Sequence, residues 1–192
     1  MKGTAFLTDA DDPVDIRIDG VFKAVFTKNT PAARGALSKF VSALMGREIT
    51  IDTILSNEPP IDSTGDRQLR LDINCRAENG ELVNVEMCLN PRPYEAVRME
   101  YHATKLFAGQ DIKGLDRDYE DLKQTYQIAI LSKRKFIRDK NCMHVFEFYD
   151  PAHRVPLNGK IRIITLELSK VKSIAEKPIN EMSNPERWAV FL

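Results

Sequence analysis

No surplus of either charge marks this chain, since 28 lysines and arginines stand against 28 aspartates and glutamates in 192 residues. Nucleic-acid and membrane-surface binders usually show a strong net positive charge. Bulk charge therefore argues for neither partner, and any contact with DNA has to come from a local patch. Cysteine is scarce as well. Cys75, Cys88 and Cys142 are odd in number and have no C-x-x-C spacing, which indicates neither a disulfide framework nor a zinc site. A reducing cytoplasm is the expected compartment. No run approaches the roughly 20 apolar residues that cross a bilayer, and residues 1–12 lack the apolar stretch of a secretory signal, so no membrane association is expected. Also missing are a Ser-His-Asp arrangement, phosphate-loop glycines and a dinucleotide fingerprint, so nucleotide cofactors are not suggested. His144 and His153 stand isolated and read as structural or exposed.

What is present fits one domain of mixed α/β type. The polar start ends in Asp11-Asp12-Pro13, and order is expected to begin near Val14. Val21, Phe22, Val25 and Phe26 recur at helical spacing, as do Ala33, Leu37, Phe40, Val41, Leu44 and Met45. Thr30 as N-cap, Pro31 at the first helical position and Gly46 at the far end delimit the second of these helices. Ile49, Ile51 and Ile54 suggest a short strand, closed by Pro59 and Pro60. A helix is expected from about Tyr94 to Ala108, with Ala96, Met99, Ala103 and Leu106 as its core positions. Segments 126–131, 145–149 and 161–168 are strand-like. Domain limits of 14–182 follow. Residues 183–192 read as the start of a C-terminal helical segment, because an ending as apolar as Trp188 to Leu192 usually opens a helix.

The most informative stretch is Leu69 to Leu89, which alternates on both sides of Glu78, Asn79 and Gly80. Register decides which side chains meet. A two-residue turn would set Asp72 opposite Met87 and mix apolar with polar faces, which a half-buried sheet does not tolerate. A three-residue turn with Gly80 in the left-handed conformation shifts the pairing by one. Leu71, Ile73 and Cys75 then face Met87, Val85 and Val83, while Arg70, Asp72 and Asn74 face Cys88, Glu86 and Asn84. Opposed residues have Cβ atoms roughly 4.5–5.5 Å apart, so Asp72 and Glu86 would repel without a cation between them. Two readings stay open. Arg70 or another basic side chain neutralises the pair on a solvated face, or the pair holds Mg²⁺ or Mn²⁺, ions that favour carboxylate oxygens and keep positions open for phosphates.

This pattern resembles the PD-(D/E)xK nuclease superfamily, in its transposase-like branch of recombination-promoting nucleases. The superfamily pairs an Asp on one strand with Glu-x-Lys or Glu-x-Gln on the next, here Asp72 and then Glu86-Met87-Cys88. Asp19 to Phe26, Tyr94 to Tyr101, Leu122 to Ile128, Leu166 to Lys170 and Trp188 to Leu192 continue the likeness. The resemblance implies a restriction-endonuclease-like αβββαβ core, a mixed central sheet flanked by helices. It further implies a Mg²⁺- or Mn²⁺-dependent DNA endonuclease of mobile elements, with Asp72, Glu86 and the Met87 carbonyl as metal ligands. Cys88 departs from the pattern, because a thiol neither carries positive charge nor donates strong hydrogen bonds. Either the Lys or Gln role has moved or catalysis is impaired, leaving a silent nuclease fold that binds DNA or a protein.

Asp19 reads either as a third carboxylate or as a helix cap or surface residue. Arg98, His102 and Lys105 share one helical face, with Arg98 and Lys105 as candidates for orienting water or phosphate and a plain solvated face as the alternative. Lys133, Arg134 and Lys135, with Arg138 and Lys140, form either a phosphate-gripping patch or an exposed loop. A homo-oligomer is compatible with all of this.

Overall fold

A computed structural model describes residues 15–57, 71–110, 112 and 118–192. The expected beginning at Val14 and the roles given to Pro59, Pro60, Leu69 and Arg70 lie outside them. Chain order is α1 (Asp19–Thr27), α2 (Pro31–Met45), β1 (Ile51–Ile54), β2 (Ile73–Ala77), β3 (Leu82–Cys88), α3 (Glu95–Ala108), β4 (Thr125–Leu131), β5 (Met143–Phe146), β6 (Tyr149–Asp150), β7 (Val155–Pro156), β8 (Ile161–Glu167), α4 (Val171–Ile174) and α5 (Asn184–Phe191). From α2 to β4 this is the expected αβββαβ sequence.

Six strands form one mixed sheet in the order β1-β2-β3-β4-β8-β5, and β6 with β7 makes a separate ribbon. The first three strands are antiparallel, β3, β4 and β8 are parallel, and β5 closes the edge antiparallel to β8. The expected strand over 145–149 divides into β5 and β6.

Local chemistry accounts for the helix limits. Thr30 accepts the Ala33 N–H, Pro31 opens α2, and Gly46 ends it at φ 67°. Such a cap contributes about 1 kcal/mol, and the left-handed end suits glycine. One face of the sheet is covered by α1, α2 and α5. There Phe22, Phe26, Phe40 and Trp188 interlock, Phe40 and Trp188 at 5.1 Å between ring centres, above Ile73, Cys75, Val83, Val85 and Ile128. Each fully buried phenylalanine contributes about 1.5–3 kcal/mol. The other face is covered by α3, where Met99 packs on Ala129 and Leu131 with Cys88 and Phe136 alongside.

Two features differ from expectation. The polar face of the hairpin is not solvated, since Asn74, Asn84 and Glu86 are buried. Ala96 is exposed, and α3 buries Glu95 and His102 beside Met99, Ala103 and Leu106. The physical reason is the same for both. Polar side chains of the helix meet polar side chains of the sheet, and mutual hydrogen bonding offsets the cost of burying them.

Candidate functional site

The turn between β2 and β3 sets the site. Gly80 adopts φ 86°, the Gly80 N–H donates to the Ala77 carbonyl at 2.8 Å, and the Ala77 N–H donates to the Glu81 carbonyl at 2.9 Å. The bulged three-residue turn results, and Ile73, Asn74 and Cys75 pair with Val85, Asn84 and Val83. Regular pairing stops at Ile73. Just before it, Asp72 and Glu86 replace backbone partners with carboxylates: the Met87 N–H donates to Asp72 Oδ2 at 2.9 Å, and the Asp72 N–H donates to Glu86 Oε1 at 3.2 Å. Each acid is thus fixed by the backbone of the opposite strand.

Glu86 is held from three sides. Asn84 Nδ2 donates to Oε1 at 3.1 Å and passes a second bond to Gln127 at 2.7 Å. Arg98 reaches Oε2 at 2.8 Å while also binding Glu95 at 2.9 Å, and His102 Nδ1 lies 3.4 Å from Oε1. Burial alone pushes the Glu86 carboxyl up, but His102, Asn84 and Arg98 together hold it below its ordinary value. Asp72 behaves oppositely. Burial first and the charge of Glu86 second raise it, against the Met87 N–H and Lys23.

Asp19 and Asp72 meet through a lysine. Lys23, one turn after Asp19 on α1, sets its ammonium 2.8 Å from Asp19 and 3.1 Å from Asp72. Asp19 is the first residue of α1, after the N-cap Ile18. Strand alternation does not report Lys23 as a site residue, although its i,i+4 spacing from Asp19 is a local signal for their ion pair.

Arg98 and His102 therefore turn inward toward Glu86 rather than forming a solvated face. Lys105 is placed elsewhere, in the lining of a cavity of about 620 Å³ with Ser56, Asn74, Arg76 and Lys123. Cys88 lies in a small pocket with Glu95, Arg98 and His102. Burial, then the charge of Glu95, pushes its thiol up to about 11, so it stays protonated and neutral.

Among the described residues no group of three or more His, Cys, Asp or Glu is placed to hold a metal ion. The donor chemistry nevertheless fits a hard divalent cation. Among the described residues, the four carboxylates Asp19, Asp72, Glu86 and Glu95 are seen paired with two cations, Lys23 and Arg98. That leaves carboxylate in excess of lysine and arginine. Buried Oδ1 atoms of Asn74 and Asn84 have no hydrogen-bond donor among the described residues, which adds neutral oxygens to the same face. Oxygen donors with excess negative charge favour Mg²⁺ or Mn²⁺ over softer metals.

Among the described residues no helix is long and apolar enough to cross a membrane. No match was found among curated proteins or among solved structures. A family model does match residues 16–192. With its six-stranded mixed sheet, the αβββαβ order and this matched span, the chain belongs to the PD-(D/E)XK nuclease family transposases.

Proposed function

We propose that the chain is a Mg²⁺- or Mn²⁺-dependent DNA endonuclease that hydrolyses phosphodiester bonds during mobile-element recombination. Membership of the family implies a nuclease linked to mobile elements, with DNA as substrate and divalent metal as the usual cofactor. The observation that supports the finer reading is the surplus of carboxylate over lysine and arginine around Asp72 and Glu86 among the described residues.

Asp72 and Glu86 would be the metal ligands, with the Met87 carbonyl directly after Glu86 in the chain and Asp19 linked to Asp72 through Lys23. A divalent ion bound there supplies a lowered water pKa and positive charge for the displacement at phosphorus. The side chains prepare that chemistry. His102, Asn84 and Arg98 keep Glu86 ionised against burial, and Arg98, tied to Glu95, orients it. Lys23 presents an ammonium beside Asp72, the kind of cation that Cys88 does not offer, and in this reading it takes over the water- or phosphate-orienting part. Lys105 lines the neighbouring cavity instead, where it would meet substrate away from the carboxylates.

Plasmid DNA should be nicked or linearised in Mg²⁺ or Mn²⁺, and Asp72→Ala or Glu86→Ala should reduce the rate at least a thousandfold, about 4 kcal/mol of transition-state stabilisation. Undiminished cleavage by either variant would overturn the assignment. The second reading, a silent nuclease fold that binds DNA or protein, rests on the neutral thiol at position 88. It requires that native protein and Cys88→Gln both fail to cleave.

A further inference from the structure

The loop after β4 is fastened to the sheet by a buried ion pair that the carboxylate site does not use. Cys88, Leu131 and Glu167 are aligned across the three parallel strands, so β3, β4 and β8 end together. Beyond those ends the ladder continues briefly, with Ser132 N–H donating to the Cys88 carbonyl at 2.9 Å and Lys133 N–H to the Leu89 carbonyl at 3.1 Å. The loop therefore leaves the sheet directly beside the strand that carries Glu86.

Its far half is pinned from beneath. Glu167, 0% exposed, accepts the N–H groups of Phe136 at 2.7 Å and Ile137 at 3.3 Å. Lys170 Nζ binds Glu167 at 2.8 Å, Asp139 at 3.0 Å and the Asn141 carbonyl at 2.7 Å. His144 closes on Asp139 at 2.7 Å. Phe136 packs into the apolar cluster of Met99, Ala129 and Leu131.

The consequence is a sorting of charge. The loop's one acid, Asp139, is engaged by His144 and Lys170. Lys133, Arg134, Lys135, Arg138 and Lys140 are exposed, and none is ion-paired among the described residues. In a chain with no net charge, five outward cations on a pinned loop form the local patch that contact with a polyanion requires. A fixed loop also loses less conformational entropy on binding than a free one.

We propose that the 133–140 loop is a docking surface for duplex DNA, gripping the sugar-phosphate backbone of the strand presented to Asp72 and Glu86. Only the mention of those carboxylates rests on the nuclease reading.

The test is fluorescence anisotropy of a labelled mixed-sequence duplex of about 20 base pairs, titrated in EDTA at several salt concentrations so that binding is read without cleavage. Lys133→Ala/Arg134→Ala/Lys135→Ala should lose roughly a hundredfold in affinity near 0.1 M salt. Its log–log salt slope should be flatter by about two to three, because each phosphate contact contributes about 0.9. Circular dichroism should show the native melting temperature, since all three side chains are exposed. Affinity and slope equal to the native protein's would overturn the proposal. The two readings fail separately. Loop-dependent binding without any cleavage would leave the docking surface standing and remove the nuclease. Cleavage that needs Asp72, together with normal binding by the triple variant, would do the reverse.

Discussion

Two buried glutamates near the ends of neighbouring parallel strands meet opposite fates. Glu86 on β3 and Glu167 on β8 are separated by β4 and project to the same face of the sheet. Glu167 is satisfied by two loop N–H groups some thirty positions back and by Lys170 three residues further on. Glu86 draws its partners from β2, from Asn84 on its own strand and from α3, and its surroundings keep surplus negative charge. Burial does not separate the two. What surrounds them does: Glu167 and Lys170 fasten a loop, whereas Glu86 stands beside a second carboxylate, Asp72, whose pKa burial and then Glu86 raise, and there an external cation gains most.

The largest break in this comparison should come at the fastening. Glu167→Ala leaves the buried Lys170 ammonium with only Asp139 and the Asn141 carbonyl and frees the Phe136 and Ile137 N–H groups, and losing one partner of such a pair costs about 3–5 kcal/mol. The melting temperature should fall by roughly 10 °C for a chain of this size. Glu167→Leu combined with Lys170→Met should recover much of that loss. A single variant that melts like the native protein would remove the distinction.

Asp72→Asn should act in the other direction, and by less. Because the folded-state pKa of Asp72 is raised, the stability it contributes is fully present below its unfolded value and lost as pH rises through the folded one. Asparagine never ionises and keeps that contribution at neutral pH. The metal-free variant should therefore melt a few degrees higher than the native protein at pH 7, while the rise in melting temperature that Mn²⁺ gives the native protein through linkage should disappear. An equal Mn²⁺ response in both proteins would show that Asp72 is no ligand.

The smallest effect concerns Asp139, whose pKa is lowered to about 2, foremost by His144 and then by Lys170. Stability from a depressed carboxylate is present above its unfolded value and lost as pH falls through the folded one, here between about 3.8 and about 2. His144→Ala should move Asp139 upward toward the ordinary value in a carboxyl NMR titration. No movement would mean that Lys170 alone holds it.

Much of this was legible in the residues. Alternation and a three-residue turn were enough to place Ile73 opposite Val85, because a slip by one residue would have buried the wrong set. Thr30, Pro31 and Gly46 marked α2 for equally local reasons. What escaped was set by tertiary contact. Lys23 joins the site because α1 packs beside β2. Glu95 and His102 are buried because α3 meets a polar sheet face, whereas helical periodicity alone assigned Ala96 to the core. The fastening at Glu167 joins residues some thirty positions apart in the chain, a separation that no local pattern reports.

The turn at Gly80 has one more consequence, for how this fold tolerates change in length. Side chains on a strand alternate, so the number of residues in the turn acts as a parity. Three residues, Glu78 to Gly80, put Asp72 and Glu86 on one side of the sheet together. Removing any one of them would turn the whole run of β2 over relative to β3, exchanging acids for core residues without altering a single ligand. An alignment that matched both acids but mistook the loop length by one would name the right residues on the wrong faces.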